Sequence, residues 1–342
     1  MKFKNAFLGI FASALLLASC SNDDTTENKL PLGAYDKGVI VLNEGNFGTP
    51  NGSVSFISSE YAVINNIFGI ENSNKPLGDV VQSLSFSEDK AFIVVNNSNT
   101  VEVVNRYTFK SIATITDQIK NPRYSVVLNG KLYVTNAKTN SVNVYDAKTY
   151  NFLEVIAVNK VVEKIITANG KLYITNGAYG SGTSVTVINP QINNAMSTIT
   201  VENGVNAIEE KSGSVYVLSG NAEKSKLYKI NTTNDTATAI ESTVLKNAKN
   251  MDIDGEKIYY TVGNNAYVMA LNATSFSEAP LFSIPDGGYF TFYAFNVIDG
   301  KIYSANVNGF TAAGTLKIFS STGAELKSVT VGMGPNGFYS NN

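Results

Sequence analysis

A short segment that recurs along the chain constrains its fold more than any other feature. It reads NGKLYVTN at residues 129–136 and NGKLYITN at residues 169–176. Weaker or partial copies lie at residues 38–43, 88–96, 212–219, 254–262 and 299–306. The last residues of successive copies are 53, 40, 40, 43, 43 and 44 positions apart. Seven copies with this spacing are typical of the blades of a β-propeller.

One unit, residues 122–158, illustrates how each copy is built. Its first strand, RYSVVL, ends at Asn129 and Gly130, a dipeptide typical of two-residue hairpin turns. KLYVTN then alternates as a half-buried strand does, and SVNVYD and FLEVIAV supply a third and a fourth strand. The sequence therefore predicts an all-β fold, a seven-bladed β-propeller with four antiparallel strands per blade.

The two ends of the propeller are predicted to share one blade. The first unit offers three strands, GVIVLNEG, GSVSFIS and AVINNIF, and lacks an innermost one. The chain ends in GMGPNGFYSNN, in which PNGFYS matches the innermost PRYSVV of the third unit. An open ring would leave two unpaired strand edges. We therefore expect the C-terminal strand to join blade one and close the ring; the alternative is a frayed tail.

The first twenty residues, MKFKNAFLGIFASALLLASC, form a targeting signal. Two lysines precede an apolar run that is too short to span a bilayer comfortably. The run ends in LASC, which resembles a bacterial lipobox with Cys20 as the lipidated residue. The predicted domains are a lipoprotein signal peptide over residues 1–19, a lipidated tether over residues 20–37 and the propeller over residues 38–342.

The residues that follow the cysteine indicate the cell surface. Asp23 and Asp24 lie just after Cys20 and resemble the surface-export signal of Bacteroidetes lipoproteins. We therefore expect an outer-membrane protein that is held by its lipid anchor and exposed at the cell surface. The alternative is a chance cysteine within an ordinary secretory signal peptide.

The composition argues against several classes of function. The chain contains no histidine and a single cysteine, which removes His-dependent catalytic triads, His-containing zinc sites and intrachain disulfides. A net charge of -2 provides no basic surface for nucleic acid. No obvious nucleophile has a base beside it, so we expect no catalytic residues, no cofactor and no metal.

One face of the predicted propeller is the candidate binding surface. It carries the loops between second and third strands and the segments that lead into each first strand, and both vary in length and composition. The longest such loop, EGNFGTPNG at residues 44–52, is far longer than a hairpin needs. Variable loops on a rigid scaffold usually carry function. The candidate ligand-binding residues on this face are Asn46, Phe47, Arg123, Glu163, Tyr179, Asn206, Asn221, Lys249, Tyr289, Phe290, Tyr293, Phe310 and Asn336.

These residue types suit recognition, although each has a structural alternative. Tyrosine and phenylalanine provide contact area at low entropic cost, and asparagine provides donors and acceptors. Arg123, Glu163 and Lys249 occupy equivalent positions before a first strand, so we expect them near the mouth of the central channel. The alternative is that the asparagines form turns and the aromatic rings pack between blades.

Three stretches of the sequence resemble a known family. GVIVLNEGNFGTPNGSVSFIS at residues 38–58, the NGKLYVTN repeats and the terminal PNGFYSN resemble the YncE-like seven-bladed propeller lipoproteins of Bacteroidetes. The resemblance covers residues 35–341. That group includes the BtuG-type surface lipoproteins, which bind cobalamin and related corrinoids and pass them to a TonB-dependent transporter. The resemblance implies an outer-membrane propeller that binds a corrinoid, and no individual corrinoid contact transfers.

Three functions remain open at this point. The first is a non-enzymatic binding module that captures a nutrient, with a corrinoid as the best candidate, for a TonB-dependent transporter. The second is a protein- or glycan-binding scaffold or adhesin. The third is an enzyme such as a propeller lactonase or dehydrogenase. Lactonase chemistry on this fold uses a calcium ion held by channel carboxylates, and the sequence offers only Glu163 at the equivalent positions.

Overall fold

Antiparallel β-strands follow one another along the computed structural model, which describes residues 32–285 and 290–342. The predicted signal peptide, the lipidated Cys20 and Tyr289 lie outside the described residues. Within the described ranges, no helix is long and apolar enough to cross a membrane. The helical segments are the short α-helix α1 (Ile67–Glu71) and the single 3-10 turns Ala178–Gly180, Pro190–Ile192 and Asn308–Phe310.

The first half of the chain supplies the strands of three four-stranded sheets, one of which also contains the C-terminal strand. One contains β1 (Gly38–Asn43), β2 (Ser53–Ser58), β3 (Val63–Ile64) and β27 (Pro335–Asn341) in the order β27-β1-β2-β3. The next contains β4 (Val81–Ser87), β5 (Lys90–Val95), β6 (Thr100–Asn105) and β7 (Ser111–Ile115). The third contains β8 (Pro122–Leu128), β9 (Lys131–Asn136), β10 (Ser141–Asp146) and β11 (Phe152–Ala157).

The second half contains one larger sheet and two of four strands. The larger sheet runs in chain order through β12 (Val162–Ala168), β13 (Lys171–Asn176), β14 (Gly182–Asn189), β15 (Ala195–Lys211), β16 (Ser214–Gly220), β17 (Ser225–Asn231) and β18 (Ala237–Ser242). The others are β19 (Lys249–Asp254), β20 (Lys257–Val262), β21 (Asn265–Ala270) and β22 (Phe282–Ser283), followed by β23 (Ala294–Ile298), β24 (Lys301–Asn306), β25 (Thr315–Ser320) and β26 (Glu325–Thr330).

The long strand β15 joins two four-stranded units. Its first part, from Ala195 to Thr200, pairs with β14, whereas its second part, from Val205 to Lys211, pairs with β16. Gly204 lies between the two parts with φ +99°, and a Cβ there would stand 2.3 Å from the carbonyl oxygen of Gly220. Only glycine fits such a position, so Gly204 allows the strand to leave one sheet and enter the next.

The hydrophobic core lies between neighbouring sheets. In β9, Leu132 packs with Phe92 of the preceding sheet, whereas the next residue, Tyr133, packs with Leu172 of the following sheet. The whole segment Leu132–Asn136 is buried. The sequence-based prediction of a half-buried strand is therefore wrong, because sheets cover both faces of β9 and the alternation reflects two neighbours rather than core and solvent.

The C-terminal strand pairs with the first strand. β27 lies antiparallel to β1, from Gly38 opposite Asn341 to Asn43 opposite Pro335. The fully buried Asn341 side chain donates to the carbonyl oxygen of Tyr35 at 2.6 Å and accepts from Arg106 at 2.7 Å. Tyr35 itself is only 3% exposed, so residues of the predicted tether also pack against the sheets.

Candidate functional site

A β-bulge recurs at the same place in six strands, and it positions the candidate residues. Each bulge sets an extra residue against the neighbouring strand near the start of β4, β8, β12, the second part of β15, β19 and β27. A bulge bends its strand and re-aims the side chains within it. The bulged residues are Gln82, Arg123 with Tyr124, Glu163 with Lys164, Asn206, Asn250 with Met251, and Asn336.

The repeated TN pair of the sequence supports these bulges. The hydroxyl oxygen of Thr135 accepts from the backbone N–H of Tyr124 at 2.9 Å, and Thr175 accepts in the same way from Lys164 at 3.1 Å. Each threonine thereby satisfies a backbone group that the bulge removes from the strand ladder. The Thr135 hydroxyl also donates to the carbonyl oxygen of Glu163 at 2.9 Å, which ties one sheet to the next.

All of these bulged residues except Glu163 and Asn206 border a cavity of about 800 Å³, here called the mouth cavity. The strands that border it, here called the lining strands, are β4, β8, β12, β15, β19, β23 and β27. Near its opening, the Arg123 guanidinium donates three hydrogen bonds of 2.6 to 3.0 Å to the Glu163 carboxylate and one of 2.6 Å to Gln82. The two charged side chains are only 11% and 12% exposed, so this ion pair forms one wall of the mouth.

A second polar group borders the same cavity. The carboxylate of Glu44 accepts from the Tyr293 hydroxyl at 3.1 Å and from the Asn336 amide at 3.0 Å. Burial raises the pKa of Glu44, while the hydrogen bonds from Asn336 and Tyr293 and the charge of Arg123 act in the opposite direction. Asn336 also donates to the carbonyl oxygen of Val81 at 2.9 Å, whereas its own buried amide oxygen has no partner in the described chain.

The long loop at residues 44–52 is held on both sides of its tip. The Asn46 amide donates to the carbonyl oxygen of Phe310 at 2.8 Å, and the Asp79 carboxylate accepts from the Gly48 N–H at 3.0 Å. Between these anchors the side chain of Phe47 is 81% exposed, although it borders the mouth cavity. The loop is therefore long because its backbone bridges two neighbouring units and presents an aromatic ring between them.

An aromatic cluster lies beside this tip. The ring of Phe310 meets that of Tyr293 edge to face at 5.3 Å and that of Phe290 at 6.0 Å. Such edge-to-face pairs fix ring orientation. Tyr293 is still 37% exposed, so its ring serves both the cluster and the open surface.

The other predicted residues lie around a second cavity of about 490 Å³, which Glu163, Asn206, Asn221 and Lys249 border. The amide of Asn206 donates to Ala248 at 2.9 Å, and that of Asn221 donates to Asn203 at 3.0 Å. The Asn221 side-chain oxygen also caps the N–H groups of residues 223 and 224, as a turn former does. Tyr179 lies in the 3-10 turn Ala178–Gly180.

Sequence reasoning missed the deeper part of the mouth cavity. Tyr124, Lys164, Glu209 and Tyr339 border it below the ion pair, and we call these four residues the cavity floor. Glu209 follows Asn206 by three strand positions, which places it about 10 Å further along β15. Alternation along the sequence did not indicate these residues, because each bulge shifts the phase of its strand and depends on pairing with the neighbouring strand.

The carboxylate count at this site corrects an expectation. The sequence offered only Glu163 in the segments that lead into the first strands, and the structure adds Glu44 and Glu209, which border the mouth cavity. The scarcity of carboxylates therefore no longer argues against metal-dependent chemistry. In residues 32–285 and 290–342, however, no three Asp, Glu, Cys or His side chains are grouped so that they could hold a metal ion.

Burial dominates the electrostatics of the cavity floor. It raises the pKa of Glu209 to about 8, with the charge of Asp252 adding to the shift and that of Lys164 opposing it. Burial lowers the pKa of Lys164, against the influence of Glu209, Glu163 and Asp252. Burial also raises the pKa of Tyr339 to about 12. The floor therefore holds ionisable groups whose charged forms are poorly solvated.

Comparison with known families places the chain. A family model described as "Domain of unknown function (DUF5074)" matches residues 37–339. The chain belongs to this family. The DUF5074 match covers all the strands described above except the last two residues of β27. No curated protein sequence matches the chain significantly.

Solved structures show which fold this DUF5074 chain adopts. It is similar to a quinoprotein alcohol dehydrogenase-like protein of Bacteroides thetaiotaomicron, with 16% identity, a TM-score of 0.74, and coverage of 90% of this chain and 79% of that one. A functionally unknown protein of Desulfotomaculum acetoxidans gives 12% identity, a TM-score of 0.67 and coverage of 89% and 98%. The WD40 repeats of RRP9 give 10% identity, a TM-score of 0.56, and coverage of 73% of this chain and 79% of that one. WD40 repeats form β-propellers, so the fold is a β-propeller, and identities this low indicate the fold alone.

Proposed function

We propose that the sheets form seven blades in a closed ring. The seven-stranded sheet counts as two blades that share β15, which brings the six sheets to seven units. Side chains of one unit also donate to backbone carbonyls in, or just before, the lining strand of the next unit. Ser83 donates to Arg123, Thr135 to Glu163, Asn206 to Ala248, Asn250 to Phe292 and Asn336 to Val81, at 2.7 to 2.9 Å. The last of these links joins the C-terminal strand to the second unit.

We further propose that this propeller is a non-enzymatic binding module, whose ligand lies across the mouth cavity. The observation that carries this proposal is the loop at residues 44–52. Asn46 and Gly48 are fixed by neighbouring units, while Phe47 stands exposed beside a polar cavity of about 800 Å³. A pre-organised aromatic side chain loses little entropy on binding and is typical of interaction hot spots.

A corrinoid is the ligand that we propose, on the strength of the resemblance to BtuG-type lipoproteins. A corrinoid is broad, flat and rich in amides. It is larger than the mouth cavity, so its ring system would rest on Phe47 and Tyr293, and an edge would enter among Glu44, Arg123 and Asn336. With Cys20 lipidated, the protein would hold its ligand at the outer-membrane surface for a TonB-dependent transporter.

Isothermal titration of the protein with cyanocobalamin tests this function. We expect one ligand per chain, and we expect Phe47→Ala and Tyr293→Ala each to weaken the affinity at least tenfold, which corresponds to about 1.4 kcal/mol. Ile192→Ala is the matched control, because Ile192 is also highly exposed but lies in the 3-10 turn Pro190–Ile192 away from the mouth. Titration without measurable binding would overturn the corrinoid proposal, and equal effects in all three variants would overturn the assignment of the face.

The exposure of the Phe47 side chain also favours a second function. With 81% of its side chain exposed, this ring offers itself to a large partner as well as to a small ligand. The alternative is therefore a protein- or glycan-binding scaffold. It predicts that a surface partner co-purifies with the wild-type protein in the absence of corrinoid and is lost in Phe47→Ala, while Ile192→Ala retains it.

A further inference from the structure

Polar groups of the cavity floor lack partners within the protein. Among residues 32–285 and 290–342, no group hydrogen-bonds the ammonium of Lys164 or the carboxylate of Glu209, and no direct ion pair joins the two. The Tyr124 hydroxyl likewise has no hydrogen bond there. The Tyr339 hydroxyl oxygen accepts from the Leu84 N–H at 3.2 Å, and its own proton finds no acceptor in the same ranges.

Arg123, Glu163 and Asp252 differ from the floor residues, because their charged groups have partners within the protein. Arg123 and Glu163 share three hydrogen bonds. The buried carboxylate of Asp252 accepts from the Asn296 amide and the Val297 N–H, both at 2.8 Å, and so supports the adjoining lining strand. The four floor residues are half-buried and border the cavity, so polar atoms without a partner in the protein can meet a molecule that enters it. Perturbed ionisable groups in a cleft are candidates for a binding site.

The chemistry of the floor restricts what can enter it. Lys164, Tyr124 and Tyr339 offer donors, whereas Glu209 offers an acceptor. An anionic ligand group would meet Glu209 and the nearby charge of Asp252, and a cationic group would meet Lys164. A neutral group that both accepts and donates hydrogen bonds satisfies both sides without adding a charge to a poorly solvated site.

We propose that the cavity floor is a subsite for a neutral ligand group of the primary carboxamide class. Its carbonyl oxygen accepts from Lys164, assisted by Tyr124 or Tyr339, and its NH2 group donates to Glu209. This subsite rests on the proposed function, in which a ligand lies across the mouth, and it specifies which part of that ligand enters the channel. Charge-assisted hydrogen bonds of this kind are among the stronger ones.

Occupation of the subsite is coupled to protons. Burial raises the pKa of Glu209 to about 8, and the groups that face it are Lys164 on β12, Asp252 on β19 and Tyr339 on β27. A ligand NH2 that donates to Glu209 stabilises the carboxylate, and a ligand carbonyl that accepts from Lys164 stabilises the ammonium, so binding favours the charged form of both groups. The two groups affect the pH dependence of the affinity with opposite sign, because the ammonium is lost as the carboxylate forms.

Three small probes of equal size test the subsite: propionamide, propionate and propylammonium. Titrations followed by saturation-transfer NMR should give a propionamide dissociation constant of ~1 mM and binding of either charged probe at least about fivefold weaker. Lys164→Met and Glu209→Met should each weaken propionamide binding by about fivefold or more. Lys327→Met and Glu278→Met are the matched controls, because both side chains are exposed and lie away from the channel.

The wild-type protein provides a test that does not depend on how the variants fold. At pH 7 the wild type should bind propionamide saturably and in preference to propionate and to propylammonium. A charged probe that binds as well as propionamide, or the absence of saturable propionamide binding, would overturn the subsite.

The subsite and the proposed function can fail separately. If Lys164→Met leaves cyanocobalamin affinity unchanged, the subsite is overturned and the function stands. If propionamide binds as expected but cyanocobalamin does not, the subsite is supported and the corrinoid is the wrong ligand.

Discussion

Arg123 and Glu163 occupy the same bulge position in consecutive lining strands, and the guanidinium of one donates three hydrogen bonds to the carboxylate of the other. The residues are 40 positions apart in the sequence, the length of one repeat. Because both side chains are nearly buried, their mutual contact fixes the spacing of two neighbouring sheets at the mouth of the cavity. The pair therefore links the repeat to the geometry of the site.

Replacement of Arg123 should destabilise the protein markedly. Arg123→Met leaves the Glu163 carboxylate buried without its partner, and we expect the free energy of unfolding in urea to fall by about 3 kcal/mol. The control is Lys317→Met. Lys317 forms a 2.9 Å ion pair with Glu325, but both side chains are well exposed, so its loss should cost no more than about 1 kcal/mol. Equal effects of the two changes would contradict a structural role for the buried pair.

Glu209 should make stability depend on pH. Its pKa rises from the ordinary 4.5 to about 8 on folding. Between these values the native protein retains a proton that the unfolded chain has lost, so the stabilising contribution is complete below about pH 4.5 and disappears as the pH rises through 8.

The variant Glu209→Gln isolates that contribution. Urea unfolding at pH 5, 7 and 8.5 should show that the wild type loses stability relative to the variant as the pH increases. The lowered pKa of Lys164 makes stability increase with pH, but Lys164 is present in both proteins. Glu278→Gln, an exposed site, should follow the wild-type curve. Parallel curves for Glu209→Gln and the wild type would show that Glu209 titrates normally.

Asp79 should control the mobility of the long loop. Its carboxylate accepts from the Gly48 N–H and from the Asn97 amide, so Asp79→Ala releases one side of the loop tip. Hydrogen exchange of residues 44–52, followed by mass spectrometry, should become at least about tenfold faster at the Gly48 amide. Asp89→Ala removes an exposed carboxylate from a different turn and should leave this exchange rate unchanged. An unaltered rate in Asp79→Ala would mean that Phe47 is not held by this anchor.

Deletion of residues 335–342 should abolish cooperative folding. It removes β27, including the buried side chains of Phe338 and Asn341, and leaves the edge of β1 unpaired. Circular dichroism should show no cooperative thermal transition, and addition of a synthetic peptide of residues 333–342 should restore one. Deletion of Asn342 alone, a residue outside β27, is the control. A wild-type melting temperature after the longer deletion would refute the proposed ring closure.

The hairpins could be predicted because their turns are local. Asn129 and Gly130 both have positive φ, as do Asn169 and Gly170, which is the conformation that an Asn-Gly turn requires. The strands on either side follow from alternation and composition over a few residues. The extent of burial was not predictable in this way, since Leu132 and Tyr133 face different neighbouring sheets and a single strand does not indicate how many of its faces are covered.

The sequence predicted the location of the candidate residues better than it predicted their exposure. Seven of the candidate residues meet at the mouth of one channel, or border it, as their place in the repeat suggested: Asn46, Phe47, Arg123, Glu163, Tyr293, Phe310 and Asn336. The sequence did not distinguish Phe47, which is exposed, from Phe310, whose ring packs with two others. It also missed Lys164 and Glu209, because a one-residue bulge shifts the phase of alternation and becomes visible only when the opposing strand is in place.

The sequence by itself determined the all-β architecture, the repeat length and the Asn-Gly turns, because each depends on interactions within a few residues. The tertiary structure alone decided which side chains converge. Residues of different repeats, such as Arg123 and Glu163, meet only after their sheets have packed side by side, and the bulges that turn Lys164 and Glu209 inward depend on pairing between strands. Convergence of this kind is set by the packing of whole sheets, which no local pattern encodes.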